Sequence, residues 1–102
     1  LDIGTPEALL RGSRDLVGKD FLALDHSTID HSAELSGGTS IGRHCTIEAG
    51  VTIAGSIISD GATIGAGSVI VNSFVARGTH VAPGSTFEGF YISSAKNEPL
   101  QL

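Results

Sequence analysis

The chain is poor in several residue types that mark particular classes of protein. Aromatic residues make up only 5% of its 102 residues, methionine and tryptophan are absent, and Cys45 is the single cysteine. One cysteine cannot form an internal disulfide and supplies too few thiolates for a metal site. We therefore expect Cys45 to be a small buried residue, which is the usual behaviour of a free cysteine.

Positive charge and long apolar runs are also scarce. Six Lys and Arg residues against 11 Asp and Glu give a formal net charge of −5, so no basic stripe is available to bind the phosphates of a nucleic acid. No apolar run approaches the roughly 18 residues that cross a bilayer, and the start shows no charged-then-apolar leader. These observations predict no nucleic-acid partner, no membrane partner and a cytoplasmic location.

Aliphatic residues recur with a period that ordinary helices and strands do not have. They stand six residues apart, with two steps of five, at Ile29, Leu35, Ile41, Ile47, Ile53, Ile58, Ile64, Ile70, Val75 and Val81. We call each of these aliphatic residues a rung residue and the five or six residues from one to the next a rung. Because the shorter rungs lie at 53–58 and 70–75, the whole pattern repeats every 17 residues, and three rungs make one coil. With 14 glycines and only 3 prolines spread along the chain, this pattern predicts a solenoid with regular turns.

Each rung residue is followed at fixed distances by a turn residue and a small residue. The third residue after a rung is expected to turn a corner, where glycine tolerates positive φ. These corner positions are Gly38, Gly50, Gly61, Gly67, Gly78 and Gly84, and in the other four rungs the same position holds Ser32, His44, Ser56 and Ser73. Since side chains two positions apart share one face of a strand, the fourth residue should point inward with the next rung residue. These inward positions are Ala33, Thr39, Cys45, Val51, Ala62, Ser68, Thr79 and Ser85.

Ahead of the repeats, apolar residues at helical spacing predict one α-helix from about residue 6 to residue 17. Thr5 is placed to cap this helix, Pro6 suits its first position, and Gly18 suits its end. The helix has an apolar face that needs a packing partner. We therefore expect that a segment upstream of it is missing from this sequence.

The repeat resembles that of the hexapeptide-repeat proteins, in which glycine often follows an aliphatic residue and a small residue stands fifth. The segments Ile41-Gly-Arg-His-Cys-Thr and Ile64-Gly-Ala-Gly-Ser-Val match this pattern closely. The resemblance implies a mainly β fold, a left-handed parallel β-helix of about three coils over residues 27–88. The ends of a solenoid need caps. The expected caps are Phe21, Leu22 and Leu24 at one end and Phe87, Phe90 and Tyr91 at the other.

The first residues carry a second resemblance. Leu1-Asp2-Ile3-Gly4-Thr5-Pro6-Glu7 resembles the last conserved block of the catalytic domain in sugar-1-phosphate nucleotidyltransferases, and the mannose-1-phosphate guanylyltransferases share this order of parts. The resemblance implies that Asp2 binds the catalytic Mg²⁺ together with a second aspartate from the missing part of that domain. The parent enzyme would join a nucleoside triphosphate and a sugar-1-phosphate into a nucleotide sugar, with GDP-mannose favoured, and release pyrophosphate.

The two resemblances divide the chain into three parts. Residues 1–20 are the tail of the catalytic domain, residues 21–92 the β-helix domain, and residues 93–102, which show no period, an irregular tail. Catalysis in this family needs a Gly-rich phosphate loop with Arg and Lys, which this sequence lacks. We therefore expect no catalytic residue and no bound cofactor in the chain alone. The β-helix is expected to serve assembly into a homo-oligomer of two subunits or a multiple of two. Because Arg43 and Arg77 are expected to face outward, binding of an effector beside them stays an alternative.

Two other classes of hexapeptide protein stay open at this point. One is a trimeric acyltransferase with a histidine as general base, for which His44 and His80 are the candidates, although both are expected to face outward. The other is a γ-type carbonic anhydrase, which needs three histidines on zinc. His26 and His31 have a gap that suits two of these ligands, but no suitable sequence surrounds a third.

Overall fold

The computed structural model describes residues 5–10 and 21–101, which form a mainly β structure in which residues 6–10 are helical. Fourteen strands of two or three residues follow the helix. They are β1 Phe21–Ala23, β2 Thr28–Ile29, β3 Glu34–Ser36, β4 Thr39–Ile41, β5 Thr46–Ile47, β6 Thr52–Ala54, β7 Ile57–Ile58, β8 Thr63–Ile64, β9 Val69–Val71, β10 Phe74–Val75, β11 His80–Val81, β12 Thr86–Glu88, β13 Phe90–Ile92 and β14 Asn97–Pro99.

Successive strands lie on three different sides of the molecule. Sheet A has the order β1-β4-β7-β10-β13-β14, sheet B the order β11-β8-β5-β2, and sheet C the order β12-β9-β6-β3. Neighbouring strands are parallel throughout, except that β14 runs antiparallel to β13. The chain therefore winds as a β-solenoid, and each coil gives one strand to each sheet, as the period predicts.

The core consists of three columns of side chains, one behind each sheet. The strand register aligns Ala23, Ile41, Ile58, Val75 and Ile92 in sheet A. It aligns Ile29, Ile47, Ile64 and Val81 in sheet B, and Leu35, Ile53, Ile70 and Phe87 in sheet C. The columns are buried in the middle coils, where Ile53, Ile64 and Ile70 have no solvent exposure. These columns confirm the rung positions that the sequence predicts.

The small inward residues are also confirmed. Thr39, Cys45, Val51, Ala62, Ser68 and Thr79 are buried, and Ala33 and Ser85 in the outer coils are half-buried. The thiol of Cys45 lies 3.1 Å from the carbonyl oxygen of Ser59 in the next coil. A small side chain at each of these positions lets consecutive coils stack at the spacing of neighbouring strands, about 4.7–4.9 Å.

The solenoid is longer than the sequence indicates, with about four coils instead of about three. Phe87 and Ile92 continue the inward columns at steps of six and five after Val81, and Ala23 begins them. A pattern of Ile, Val and Leu does not include Phe87 and Ala23 as rung residues, so it gives too few coils. The expected cap residues Phe21 and Leu22 consequently lie in β1 itself, where their side chains are 44% and 52% exposed.

The corners agree with the prediction at seven positions and differ at three. The six predicted glycines and His44 have positive φ. Ser56 and Ser73 do not: both are completely buried, and the positive φ lies one residue earlier, at Gly55 (58°) and Asn72 (49°). A five-residue rung is one residue shorter than the others, so its corner lies one residue earlier in the chain and the serine takes the inward position. Ser32 turns its corner without positive φ.

Both ends of the described chain add local structure. Thr5 caps the helix as predicted, because its hydroxyl accepts a hydrogen bond from the N–H of Ala8 at 3.1 Å. The rest of the predicted helix, with Gly18 at its end, lies outside the described residues. The expected irregular tail contains β14, and the N–H of Gln101 donates to the Glu7 carboxylate at 3.0 Å. Within the described segments, no helix is both long and apolar enough to cross a membrane.

Candidate functional site

The outer face of sheet A is the most apolar of the strand faces. Its outward column, read from the strand register, is Leu22, Ser40, Ile57, Phe74 and Tyr91. The rings of Phe74 and Tyr91 stack with centroids 5.6 Å apart. The corresponding column of sheet B is Thr28, Thr46, Thr63 and His80. Leu22 is exposed, whereas Ile57, Phe74 and Tyr91 are half-buried, and Pro6 and Glu7 of the helix line a pocket together with Tyr91.

A groove of about 400 Å³ lies on this face, at its border with the corner that leads to sheet B. Its lining includes the apolar side chains of Leu22, Leu24 and Ile57 and the charged residues Asp60 and Arg77. Leu22 and Leu24 are 52% and 41% exposed. The groove thus joins apolar and charged side chains from neighbouring coils.

Four charged residues occupy the same position of this corner in successive coils. They are Asp25, Arg43, Asp60 and Arg77, and we call this set the charged corner. Backbone hydrogen bonds between coils fix the stacking: His44 N–H donates to Asp25 O, Gly61 N–H to Arg43 O, and Gly78 N–H to Asp60 O. All four residues are exposed. Along the axis of the solenoid, their charges alternate between negative and positive.

The charged corner is only partly engaged within the chain. The Asp60 carboxylate accepts a hydrogen bond from the backbone N–H of Arg43 at 2.9 Å. The close contacts between acidic and basic side chains of described residues lie elsewhere: the Lys96 ammonium pairs with Glu98, and Nδ1 of His31 lies 3.8 Å from the Asp30 carboxylate. In the part of the chain that the structure describes, the charged side chains of this corner therefore make no ion pair with each other.

Two histidines stand next to the charged corner. The rings of His26 and His44 stack with centroids 5.1 Å apart and planes 9° apart, and both residues have positive φ. His31 lies at the following corner, between sheets B and C, so the structure does not bring it together with His26 as a metal-binding pair. Among residues 5–10 and 21–101, no group of three or more His, Cys, Asp or Glu side chains is placed to hold a metal ion.

The other candidates from the sequence lie apart from one another. Asp2, the expected Mg²⁺ ligand, is outside the described residues. His44 and His80 both face outward, as expected, but His80 belongs to the outer column of sheet B. Arg43 and Arg77, expected only to face outward, prove to share one corner.

The aspartates of the charged corner could not be recognised from local motifs in the sequence. Asp25 and Asp60 match no catalytic motif, and their meaning depends on their alignment with Arg43 and Arg77. The signal was nevertheless present, because the four residues are separated by 18, 17 and 17 positions, the length of one coil. A search for charges at the coil period would have found them.

A model of the GMPPB C-terminal domain family matches residues 17–97, which include strands β1 to β13. Comparison with curated proteins found no match. The family match covers the whole parallel part of the solenoid, including the apolar face of sheet A and the charged corner.

Proposed function

Because the chain belongs to the GMPPB C-terminal domain family, we propose that it is the non-catalytic assembly domain of an enzyme that makes GDP-mannose. The family is that of the C-terminal domain of a GDP-mannose pyrophosphorylase-like enzyme. The match over residues 17–97 is the observation that carries the proposal. The resemblance of the first residues to the end of a nucleotidyltransferase catalytic domain supports the same parent enzyme.

The proposed parent reaction is guanylyl transfer. A phosphate oxygen of mannose-1-phosphate attacks the α-phosphorus of GTP, a new P–O bond forms, and the bond to the β-phosphate breaks to release pyrophosphate. The resemblance around Asp2 implies Mg²⁺ for this enzyme, but the described residues offer no cluster of ligands for it. We therefore assign no catalytic step to them and propose that GTP, the sugar phosphate and the metal bind outside the solenoid.

Assembly is supported by the apolar side chains at the first coil of sheet A. Phe21, Leu22 and Leu24 are 44%, 52% and 41% exposed there, whereas Tyr91 at the other end of the face is half-buried and lines a pocket with Pro6 of the helix. Interfaces between identical subunits are enriched in such apolar and aromatic side chains. A solenoid core of fully buried residues also gives this face a fixed shape. We propose a homo-oligomer of two subunits or a multiple of two, built on this side of the domain.

Two measurements on the purified chain test the proposal. The first is pyrophosphate release with GTP, mannose-1-phosphate and Mg²⁺, with an active guanylyltransferase as the positive control for the assay. We expect no release above the level of buffer, and turnover by the chain itself would overturn the non-catalytic role. The second is light scattering, which should give the mass of a dimer or a multiple of it. A monomer would overturn the assembly role.

The acyltransferase alternative has its own readout. That reaction would release free CoA from acetyl-CoA in the presence of an acceptor, and it would depend on a histidine. CoA release that is lost in His44→Ala or His80→Ala would favour this alternative over the assembly domain. We expect no release from the unchanged chain.

A further inference from the structure

We propose that the charged corner is the contact through which two copies of this chain associate, side by side and antiparallel, about a two-fold axis. The proposal rests on the assembly role proposed above and adds the surface, the partner and the orientation. The partner is a second copy of this chain. The contact consists of Asp25, Arg43, Asp60 and Arg77, with the apolar groove of sheet A beside them.

The order of the charges makes this surface complementary to itself. Along the solenoid axis the charged corner reads negative, positive, negative, positive, from Asp25 to Arg77. A two-fold axis between the coils of Arg43 and Asp60 reverses this order in the second copy. Asp25 then faces the partner's Arg77, and Arg43 faces the partner's Asp60. Every charge meets the opposite charge, as a self-complementary two-fold interface requires.

Other arrangements of the same two surfaces are disfavoured by the same pattern. If the axis passed through the coil of Asp60, that residue would face its own copy, and Arg43 would face Arg77. A parallel copy in register would place every aspartate opposite an aspartate and every arginine opposite an arginine. Juxtaposed like charges suppress incorrect pairing more strongly than exposed ion pairs raise affinity. The pattern therefore specifies both direction and register.

Among the described residues, the other two corners do not show alternating charges. At the equivalent positions, the corner between sheets B and C has His31, Ala49, Ala66 and Pro83 in successive coils, and the corner between sheets C and A has Gly37, Gly55, Asn72 and Gly89. Only the charged corner alternates in sign. It is also the corner that borders the groove with Leu22 and Leu24, so burial of apolar surface and charge pairing occur together.

The side chains that would meet across the interface are available for it. Arg43, Arg77 and Asp25 form no ion pair with any described residue, and Asp60 uses its carboxylate for a backbone N–H. A competing explanation is that the alternation only limits repulsion between stacked coils of one chain, where opposite charges on neighbouring strands attract. Mixing of variants separates the two explanations, because only an interface depends on the identity of the other copy.

Asp25→Arg and Arg77→Asp are the test variants. Each one places like charges at both symmetry-related contacts of its own homodimer, so its dimer dissociation constant should rise at least about tenfold over that of the unchanged chain. An equimolar mixture of the two variants places an arginine opposite an aspartate at both contacts. It should therefore form a heterodimer of restored affinity, as should the homodimer of the double variant. Sedimentation velocity measures all of these species.

Glu88→Arg is the matched control, because Glu88 is exposed on sheet C, away from the charged corner. It changes a carboxylate to a guanidinium in the same way and should leave the dimer unchanged. Circular dichroism establishes that each variant is folded. Raising the ionic strength should weaken the dimer of the unchanged chain, since salt screens exposed charges.

The outcomes separate this proposal from the assembly role on which it rests. A dimer of the unchanged chain that responds to Asp25→Arg no more than to Glu88→Arg, or a mixture that fails to restore association, overturns the charged corner as the contact and leaves the assembly role in place. A chain that is monomeric under all conditions overturns both. Restoration in the mixture and in the double variant supports the charged corner.

Discussion

The hydroxyl of Ser56 accepts a hydrogen bond from the backbone N–H of Ser73 in the next coil, at 3.0 Å. The same contact repeats along the corner between sheets C and A: Ser56 N–H donates to the Thr39 hydroxyl, and Phe90 N–H donates to the Ser73 hydroxyl. At this corner the buried hydroxyls therefore add acceptors to the backbone hydrogen bonds that also join the coils there, such as those from Gly55 N–H to Ser36 O and from Asn72 N–H to Ala54 O. These additional contacts explain why a buried position in an apolar core holds Ser or Thr.

Ser56→Ala is expected to destabilise the chain by about 1–3 kcal/mol, because it leaves the buried N–H of Ser73 without an acceptor. Urea unfolding at fixed protein concentration measures the effect. Ser85→Ala is the control, since the Ser85 hydroxyl is exposed and donates only to Ala82 O. Its effect should stay within roughly 0.5 kcal/mol. Equal effects of the two substitutions would show that the hydroxyl contacts between coils do not contribute to the free energy of unfolding.

Thr39→Val and Thr79→Val should change stability in opposite directions. The Thr39 hydroxyl donates to Ser36 O at 2.8 Å and accepts from Ser56 N–H, whereas the buried Thr79 hydroxyl has no hydrogen-bond partner. Because a buried polar group without a partner is unfavourable, Thr79→Val should stabilise the chain by up to about 1 kcal/mol. Thr39→Val should destabilise it by about 1–3 kcal/mol. Thermal unfolding of both variants provides the check, and a loss of stability in Thr79→Val would contradict the structure at that position.

Gly65→Ala and Gly67→Ala test two different reasons for glycine in one turn. A Cβ atom at Gly65 would lie 2.5 Å from the backbone nitrogen of Pro83 in the next coil, while a Cβ at Gly67 meets nothing within 4 Å. Gly67 instead has φ of +74°, which costs an L-residue roughly 1–2 kcal/mol. Gly65→Ala should therefore lower the urea midpoint more than Gly67→Ala does. The reverse order would mean that the coils are not stacked as closely as described.

Asp30 provides a prediction on pH. The hydroxyl and the backbone N–H of Ser32 both donate to its carboxylate, at 2.6 Å and 2.9 Å, and hold the pKa of Asp30 below its usual value of 3.8. Since the folded-state pKa is the lower one, this contact stabilises the fold above pH of about 3.8, and the contribution is lost as the pH falls through the folded-state pKa. Ser32→Ala should raise the pKa of Asp30, and Ser32→Thr should keep it low.

A carbon-detected NMR titration of the Asp30 carboxyl group measures this shift. The stability difference between the unchanged chain and Ser32→Ala should shrink as Asp30 becomes protonated. If the pKa of Asp30 is the same in Ser32→Ala as in the unchanged chain, the serine hydroxyl is not the cause of the shift.

Much of the fold could be predicted because the repeat is local. Inward residues such as Ile41, Cys45 and Ile64 follow from alternation within a strand and from the period of the coil, both of which are visible in the sequence. Ser56 and Ser73 were misplaced because a five-residue rung moves the corner by one position, and the sequence does not show which residue is lost. The strand β14 was missed because its pairing with β13 depends on a turn at residues 93–96 and on no repeat.

The candidate site was less predictable than the fold. The charged corner exists only when residues 18 or 17 positions apart are stacked, so Asp25 and Asp60 have no significance until the coils are aligned. The same holds for the stacking of His26 on His44. Chemical motifs are read from neighbours in sequence, whereas a solenoid builds its surfaces from residues one coil apart.

Sedimentation equilibrium of the purified chain over a range of concentrations tests the central claim most directly. The monomer has a mass of 10.4 kDa. The assembly role predicts a reversible transition to twice that mass or a multiple of it, and the charged corner predicts that this transition weakens as salt is added. A single species of monomer mass at every concentration and at low salt would contradict the claim that this solenoid joins two subunits.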